Sequence, residues 1–278
     1  MEMLFMLNGY TNKNKNKSNI DEAIVEMIVE KKCDIVLLAE YKDDLDGLCN
    51  ILRIQSSETY VPLPNNRGCD HICGLIKKQY ECESLLETTR YQILTIKTSS
   101  YVLIVGAIHN VSKLSYDDED QHAILQQIHT DIKYIEEKWK TKNTIIVGDF
   151  NVNPFEKSLI SADSLFAIPY KEELERKTVV RNGVKYEKFY NPTWKFLSCD
   201  AAPYASYYYS NSKLVNYYWN MFDQVVLRAE MIEAFDDDSL TIISRTVSHD
   251  LLSNQKPYSD KYSDHLPIFF KIMEGNLI

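Results

Sequence analysis

Apolar residues along this chain recur in two rhythms, and the switching between them predicts layered α/β structure. Met3 to Leu7 is a short apolar run followed by the polar stretch Thr11 to Asn19, which predicts a buried strand and a loop. Ile20, Ile24, Met27 and Ile28 then repeat at helical spacing, and Asp34 to Leu38 reads as a second buried strand ending at Glu40. Residues 72 to 78, 91 to 97 and 101 to 108 predict three more strands, the last two joined by the turn Thr98-Ser99-Ser100. Ile124, Ile128, Ile132, Ile135 and Trp139 place an apolar stripe on a long helix. Thr144 to Val147 is a short buried strand, and Pro154 predicts the start of a helix reaching about Phe166. Residues 170 to 213 are irregular, basic and aromatic, the composition of a long functional loop. Strands at 222 to 228, 240 to 246 and 266 to 272 close the chain. Many strands with interposed helices, in no strict alternation, favour two mixed sheets packed face to face with helices outside, ahead of a simple doubly wound sheet.

The 278 residues, 45% hydrophobic and 26% charged, suit one large core, and no linker-like stretch divides residues 1 to 278, so a single domain is expected. Forty acidic against 31 basic residues argue against a protein that coats nucleic acid by bulk charge, while leaving room for a local basic rim. No apolar run reaches the length of a membrane span, so no membrane partner is expected. The opening Met1 to Leu7 is too short and acidic for a signal peptide, and six cysteines without a small-scaffold spacing read as reduced thiols of a cytoplasmic protein. Cys69-Asp70-His71-Ile72-Cys73 has no second ligand pair, so it is set aside as a structural zinc site.

Acidic, amide and imidazole residues recur where strands stop: Asn8, Glu40, His109, Asp149, Asn151, Asp223 and Asp264-His265. Strand ends are where a rigid scaffold presents catalytic groups. Carboxylates suit a hard cation such as Mg²⁺ or Mn²⁺, and histidine can donate to developing negative charge. Together they suggest metal-assisted attack of water on phosphorus.

The order Asn8, Leu38-Ala39-Glu40, His109-Asn110, Gly148-Asp149-Phe150-Asn151, Asp223 and Ser263-Asp264-His265 resembles the endonuclease/exonuclease/phosphatase superfamily. The resemblance implies a four-layered α/β sandwich and assigns roles by position. Glu40 would be the principal metal carboxylate, with Asn8 and Asp264 placing the ion or its waters. Asp149 would align the attacking water as general base, and Asn151 would hold a non-bridging phosphate oxygen. His265 would stabilise the pentavalent state, oriented by Asp223, and His109 would donate to the phosphate or the leaving oxygen. The chain departs from the usual pattern at four places: Leu7 before Asn8, Ala39 before Glu40, Phe222-Asp223-Gln224-Val225 around the orienting aspartate, and Asn110 after the histidine.

Each residue alone has a plainer explanation. Asn8 suits a turn, Asp149 with Asn151 suits a helix cap, and His265 suits a hydrogen-bonded core. Their coincidence in order is what carries the functional reading. His122 and His129 read as surface residues of one helix, Asp117 to Asp120 as a solvated loop, and His249-Asp250 as incidental. Lys13, Lys15 and Lys17 follow the first strand and could meet phosphates. Arg176, Arg181 and Trp194 stand for a stretch that interleaves charge with aromatics, as single-stranded nucleic-acid grooves do. Tyr207-Tyr208-Tyr209 and Tyr217-Tyr218-Trp219 read as packing on a sheet face. The expectation is an Mg²⁺- or Mn²⁺-dependent nuclease. A phosphatase or phosphodiesterase of small or lipid-derived esters comes next, and a non-catalytic binding module on the same fold third.

Overall fold

Alternation along the strands sets the layers. In the strand Glu2–Leu7, Met3 and Phe5 enter one apolar cluster while Leu4 and Met6 enter another. The neighbouring strand Ile35–Ala39 divides in the same way, Ile35, Leu37 and Ala39 to the first cluster and Val36 and Leu38 to the second. The first cluster also takes Leu103, Val105 and Ala107 of Val102–His109 and Ile145 and Val147 of Thr144–Asp149, so it is the seam between two sheets. The second is closed by Ile20, Ile24, Met27 and Ile28 of the helix Lys17–Lys31. Ile104, Ile108 and Ile146 face away from the seam and meet Leu125, Ile128, Ile132 and Ile135 of the helix Asp118–Trp139. The result is helix, sheet, sheet, helix, the expected four layers. This computed structural model describes residues 1–7, 17–42, 44–66, 68–98, 100–212 and 214–277.

One sheet has six strands in the order Phe235–Ile242, Ile268–Ile272, Glu2–Leu7, Ile35–Ala39, Ile72–Lys77 and Tyr60–Pro62. The other has seven, in the order Glu81–Glu87, Tyr91–Lys97, Val102–His109, Thr144–Asp149, Asp223–Arg228, Phe189–Tyr190 and Ala167–Ile168. Each contains a parallel pair, Glu2–Leu7 with Ile35–Ala39 and Val102–His109 with Thr144–Asp149. Both mixed sheets therefore present carboxyl-terminal strand ends on one side.

The structure differs from expectation in several elements. The helix expected from Pro154 to Phe166 is α-helical only over Lys157–Ile160. Its polar residues turn the chain instead: Glu156 accepts from the Asn153 backbone N–H at 2.9 Å, and the Ser164 hydroxyl donates to the Ser158 carbonyl at 2.5 Å, bonds that compete with a helix. Within 170 to 213, the expected loop holds the hairpin Thr178–Arg181 with Val184–Glu187, turned at Asn182-Gly183, where both residues have positive φ. The strand expected at 240 to 246 runs Phe235–Ile242, with an irregularity between Asp236 and Thr241. The helix Leu45–Ser56 and the strands Tyr60–Pro62 and Glu81–Glu87 are additional elements. His129 is half-buried with its ring edge-on to Phe189, not a surface residue, whereas His122 meets Asp163 at 3.5 Å.

Candidate active site

Three strand ends of the seven-stranded sheet converge. His109 pairs with Asp149 across the parallel ladder, and Asp149 pairs with Asp223 across the antiparallel one. Register alone therefore sets three ionisable residues side by side. Gly148 makes that approach possible: a Cβ there would lie 1.9 Å from the Ile108 carbonyl oxygen, and its φ is +151°. Glu40 comes from the end of the opposite sheet, where its N–H donates to the His71 carbonyl at 2.9 Å. Glu40 and Asn151 both have left-handed backbones, φ 57° and 53°. Such conformations cost of order 1 kcal/mol or more and concentrate at functional sites.

Amide groups hold the carboxylate of Asp149. The Asn151 backbone N–H donates to Asp149 Oδ1 at 2.8 Å, and Asn151 Nδ2 donates to Asp149 Oδ2 at 2.9 Å and to the Asn110 carbonyl at 3.0 Å. Asn110 in turn donates to the Phe150 carbonyl at 3.1 Å, and Gln121 donates to the carbonyls of Val111 and Asn151 at 2.8 and 2.9 Å. Both hydrogens of the Asn151 amide are thus committed inside the protein. Holding a phosphate oxygen would require exchange of one of these bonds, so its present work is to orient Asp149. His265 Nδ1 lies 2.7 Å from Asp223 Oδ2, both side chains being buried. The tilted Tyr207 ring, 4.5 Å from the imidazole between centroids, covers His265, and Tyr207 bridges to His265 through the backbone.

Burial and charge pull these groups apart. Burial foremost, with the neighbouring Asp223 and Glu40 charges, pushes Asp149 up to about 7 against the opposing effect of His265. Burial alone would lower His265. The Asp223 carboxylate overrides it, helped by Asp149 and Asp264, and holds His265 up at about 9. His109 is pushed down to about 3, mainly by burial and then by the nearby imidazoles, so it is neutral at ordinary pH. His71 is lowered by burial, Arg90 and Lys42.

A cavity of about 610 Å³ opens over this floor, lined by Glu40, His109, Asp149, Asn151, Asp264 and His265. Lys113, Glu156, Tyr207, Tyr209 and Tyr217 stand on its walls. The structure thus brings together Glu40, His109, Asp149, Asn151, Asp223, Asp264 and His265. Asn8, Lys13 and Lys15 lie outside the described residues, and Lys17 opens a helix. Arg176 and Arg181 do not reach the cavity. Glu187, at the base of their hairpin, pairs with Arg228 at 3.2 Å, and Arg228 ends the strand that begins at Asp223, about 17 Å away along an extended chain. Trp194 flanks the cavity indirectly, packing edge-on against Phe155, which packs against Tyr217. Tyr207, Tyr209 and Tyr217 face the cavity where packing alone was expected, while Tyr208 and Trp219 pack on each other. Gln121 is absent from the sequence reading, Asn110 enters it only as a departure from the usual residue after the histidine, and His71 only as part of a stretch set aside as a zinc site. Only His109-Asn110 and the Cys69 to Cys73 stretch gave a signal. Of that stretch Cys69 enters the seam and Cys73 the helix-covered face, so the two thiols point apart.

The donor set fits a divalent cation: Glu40 and Asp264 offer hard carboxylate oxygens to the cavity, and His109 Nε2 faces Glu40 Oε1 at 3.8 Å. Asp149, Asp223 and His265 form a second cluster of potential ligands, in which His265 Nδ1 is already engaged by Asp223.

Neither a protein-family model nor a curated protein sequence matches the chain. Solved structures do. Human Nocturnin's catalytic domain, with a bound sulfate anion, aligns at a TM-score of 0.57 and 15% identity over 97% of this chain and 93% of that one. An endonuclease/exonuclease/phosphatase family protein from Leptotrichia buccalis gives 0.56 and 14% over 98% and 99%. D. rerio TDP2, complexed with a single-stranded DNA product, gives 0.54 and 15% over 97% of each. At such identity the likeness concerns architecture, and the chain has the fold of the endonuclease/exonuclease/phosphatase proteins.

Proposed function

We propose that the chain is a divalent-cation-dependent phosphodiester hydrolase with nucleic acid as its substrate. The observation that carries this reading is the convergence of Asp149, hydrogen-bonded through both oxygens, with a charged His265 and the Glu40 carboxylate on one cavity floor. Asp149, raised to about 7, takes the proton of the attacking water at a pH where it is largely ionised. Asn151 orients it, and His265, kept protonated by Asp223, donates from Nε2 to the oxygen on which charge builds. Glu40 and Asp264 would hold the cation, Mg²⁺ or Mn²⁺, with Asn8 as the matching third residue. When bound, the cation supplies positive charge that offsets the phosphate oxygens in the transition state.

The nuclease preference is supported by the aromatic wall, since Tyr209 and Tyr217 offer stacking faces beside the scissile position, and by the TDP2 neighbour that carries single-stranded DNA. One observation favours a small phosphate ester instead: among the described lining residues Lys113 is the single lysine or arginine, and it is already engaged by Glu156 and Asp118. The test is hydrolysis of single- and double-stranded DNA and RNA, nucleotides and chromogenic phosphodiesters, with and without chelator. Asp149→Ala and His265→Ala are expected to lose at least about 10²-fold in rate while staying folded. Failure to cleave any nucleic acid while a small ester turns over rejects the nuclease reading. No turnover of either rejects the hydrolase. No helix among the described residues is long and apolar enough to cross a membrane, and we place the protein in the cytoplasm on its six unbridged cysteines.

A further inference from the structure

Glu40, His71 and His109 come together from three strand ends. Glu40 follows Ile35–Ala39, His71 precedes Ile72–Lys77, and the two are cross-strand neighbours through the Glu40 N–H to His71 carbonyl bond. His109 arrives from the other sheet, its ring edge-on to that of His71 at 5.3 Å. One ligand atom from each residue lies within 4.8 Å of the others. His109 is 7% exposed, and its Nδ1 is buried without a hydrogen-bond partner among the described residues. Nε2 points at Glu40 Oε1 at 3.8 Å and Asp149 Oδ2 at 3.6 Å, too far for hydrogen bonds. An ion seated against Glu40 would give Nε2, the nitrogen that faces that carboxylate, a partner. Two ligands on one ion, each about 2.1 Å from it at near-tetrahedral angles, sit about 3.4 Å apart. The observed 3.8 Å needs only a few tenths of an ångström of closure.

We propose that Glu40, His71 and His109 form a mixed nitrogen and oxygen site for a divalent transition-metal ion of the zinc, cobalt and nickel class, in preference to magnesium. The proposal rests on the cation-dependent reading above, keeps Glu40 as the shared carboxylate, and puts the two imidazoles in place of Asp264 and Asn8 as its partners. Imidazole nitrogens suit these borderline ions, whereas magnesium takes oxygen ligands and keeps its waters. His71 thereby becomes the selectivity-determining residue, and His109 becomes a ligand in place of a proton donor. The flanking Asp149 carboxylate adds negative charge without belonging to the set.

The test titrates cation-free full-length protein with Co²⁺, followed by its visible absorption, and with Mg²⁺, followed by calorimetry. The wild type is expected to bind Co²⁺ at least about tenfold more tightly than Mg²⁺, with a spectrum of nitrogen ligation. His71→Asn is expected to weaken Co²⁺ about tenfold or more and to leave Mg²⁺ within about twofold, with circular dichroism unchanged. His71→Asp, which replaces nitrogen by oxygen, should move the preference towards Mg²⁺. It also serves as the second probe if the asparagine variant fails to fold. A wild type that prefers Mg²⁺, or folded His71 variants that keep the Co²⁺ affinity and spectrum, would overturn the proposal. The hydrolase reading fails separately: an intact Co²⁺ site without turnover of any ester rejects that reading alone, and Mg²⁺-driven hydrolysis indifferent to His71 rejects this one alone.

Discussion

Replacing Asp223 by Asn keeps the shape of the buried pair and removes its charge. His265 Nδ1 can still donate to the amide oxygen, but the carboxylate 2.7 Å away no longer favours the imidazolium. In the wild type His265 stands at about 9 against an ordinary 6.5, a net preference of about 3 kcal/mol for the charged form, reached although burial pulls the other way. Without the Asp223 charge the value should fall to 6.5 or below. At pH 8 the protonated fraction then drops from about 0.9 to about 0.03, a loss of about 30-fold in kcat/KM from protonation alone. At pH 6 the same arithmetic leaves a loss below about twofold.

The ratio of wild-type to variant kcat/KM, measured on a chromogenic phosphodiester from pH 6 to 9, should therefore climb steeply with pH. Nuclear magnetic resonance of the His265 ring in cation-free protein should find it titrating near 9 in the wild type and at 6.5 or lower in the variant. Folding stability follows with a definite sign. A group whose pKa is raised on folding contributes fully below its unfolded value of 6.5 and loses that contribution as pH climbs through about 9. The variant should be most destabilised, relative to wild type, on the acid side of that window. A rate ratio constant across the pH range, or a variant His265 still titrating near 9, would refute the reasoning.

Other variants test the scaffold and the placement of the site. Gly148→Ala, whose Cβ would meet the Ile108 carbonyl, is expected to cost about 3 kcal/mol or more, read as a large fall in Tm or loss of soluble protein. Glu136→Gln leaves Arg228 buried without the carboxylate that binds its Nε at 2.8 Å and one terminal nitrogen at 2.9 Å. It should lower stability by about 3–5 kcal/mol in denaturant titration, with kcat of the folded fraction unchanged. Arg176→Ala with Arg181→Ala should leave kcat/KM on single-stranded DNA within about twofold, because their hairpin lies at the far end of the sheet, and a tenfold loss would place substrate there. Asp149 raised to about 7 and His265 raised to about 9 in the cation-free protein require one ionised and one protonated group together, so wild-type kcat/KM should trace a bell whose acid limb lies at or below about 7 once the cation is bound.

Glu40, Asp149, Asp223 and His265 were legible in the sequence because each stands at an apolar-to-polar boundary, and strand ends are where such boundaries fall. Two sheets packed face to face were legible in the many strands with interposed helices, and the four layers only through the resemblance. That Met3 and Phe5 enter one cluster and Leu4 and Met6 another leaves no mark in a continuous apolar run. The amide network was not legible. Asn110 reaches Phe150, and Gln121 reaches Asn151, across separations that leave no periodic trace. Composition also carries no direction. The basic and aromatic stretch from 170 to 213 has the chemistry of a nucleic-acid groove, but register ties Phe189 to Arg228 and so sends its hairpin away from Asp223. Edge strands such as Glu81–Glu87 were missed because half-exposed residues of mixed polarity dilute the alternation.

The two ends of the seven-stranded sheet are built on opposite electrostatic logic. At one end Arg228 lies between Glu136 and Glu187, over the face of Phe189 at 4.1 Å, with Lys142 bonded to both carboxylates. Each charge there meets its opposite. At the other end Glu40, Asp149, Asp223 and Asp264 crowd round a single protonated imidazole, and the lysine on the wall is already occupied by carboxylates. Burial first, and then that surplus of negative charge, hold a proton on Asp149 up to about pH 7. A cation seated against Glu40 removes part of the surplus, which favours the ionised form that a general base needs. In the proposed reaction, loading the cation and arming the base are then one electrostatic event.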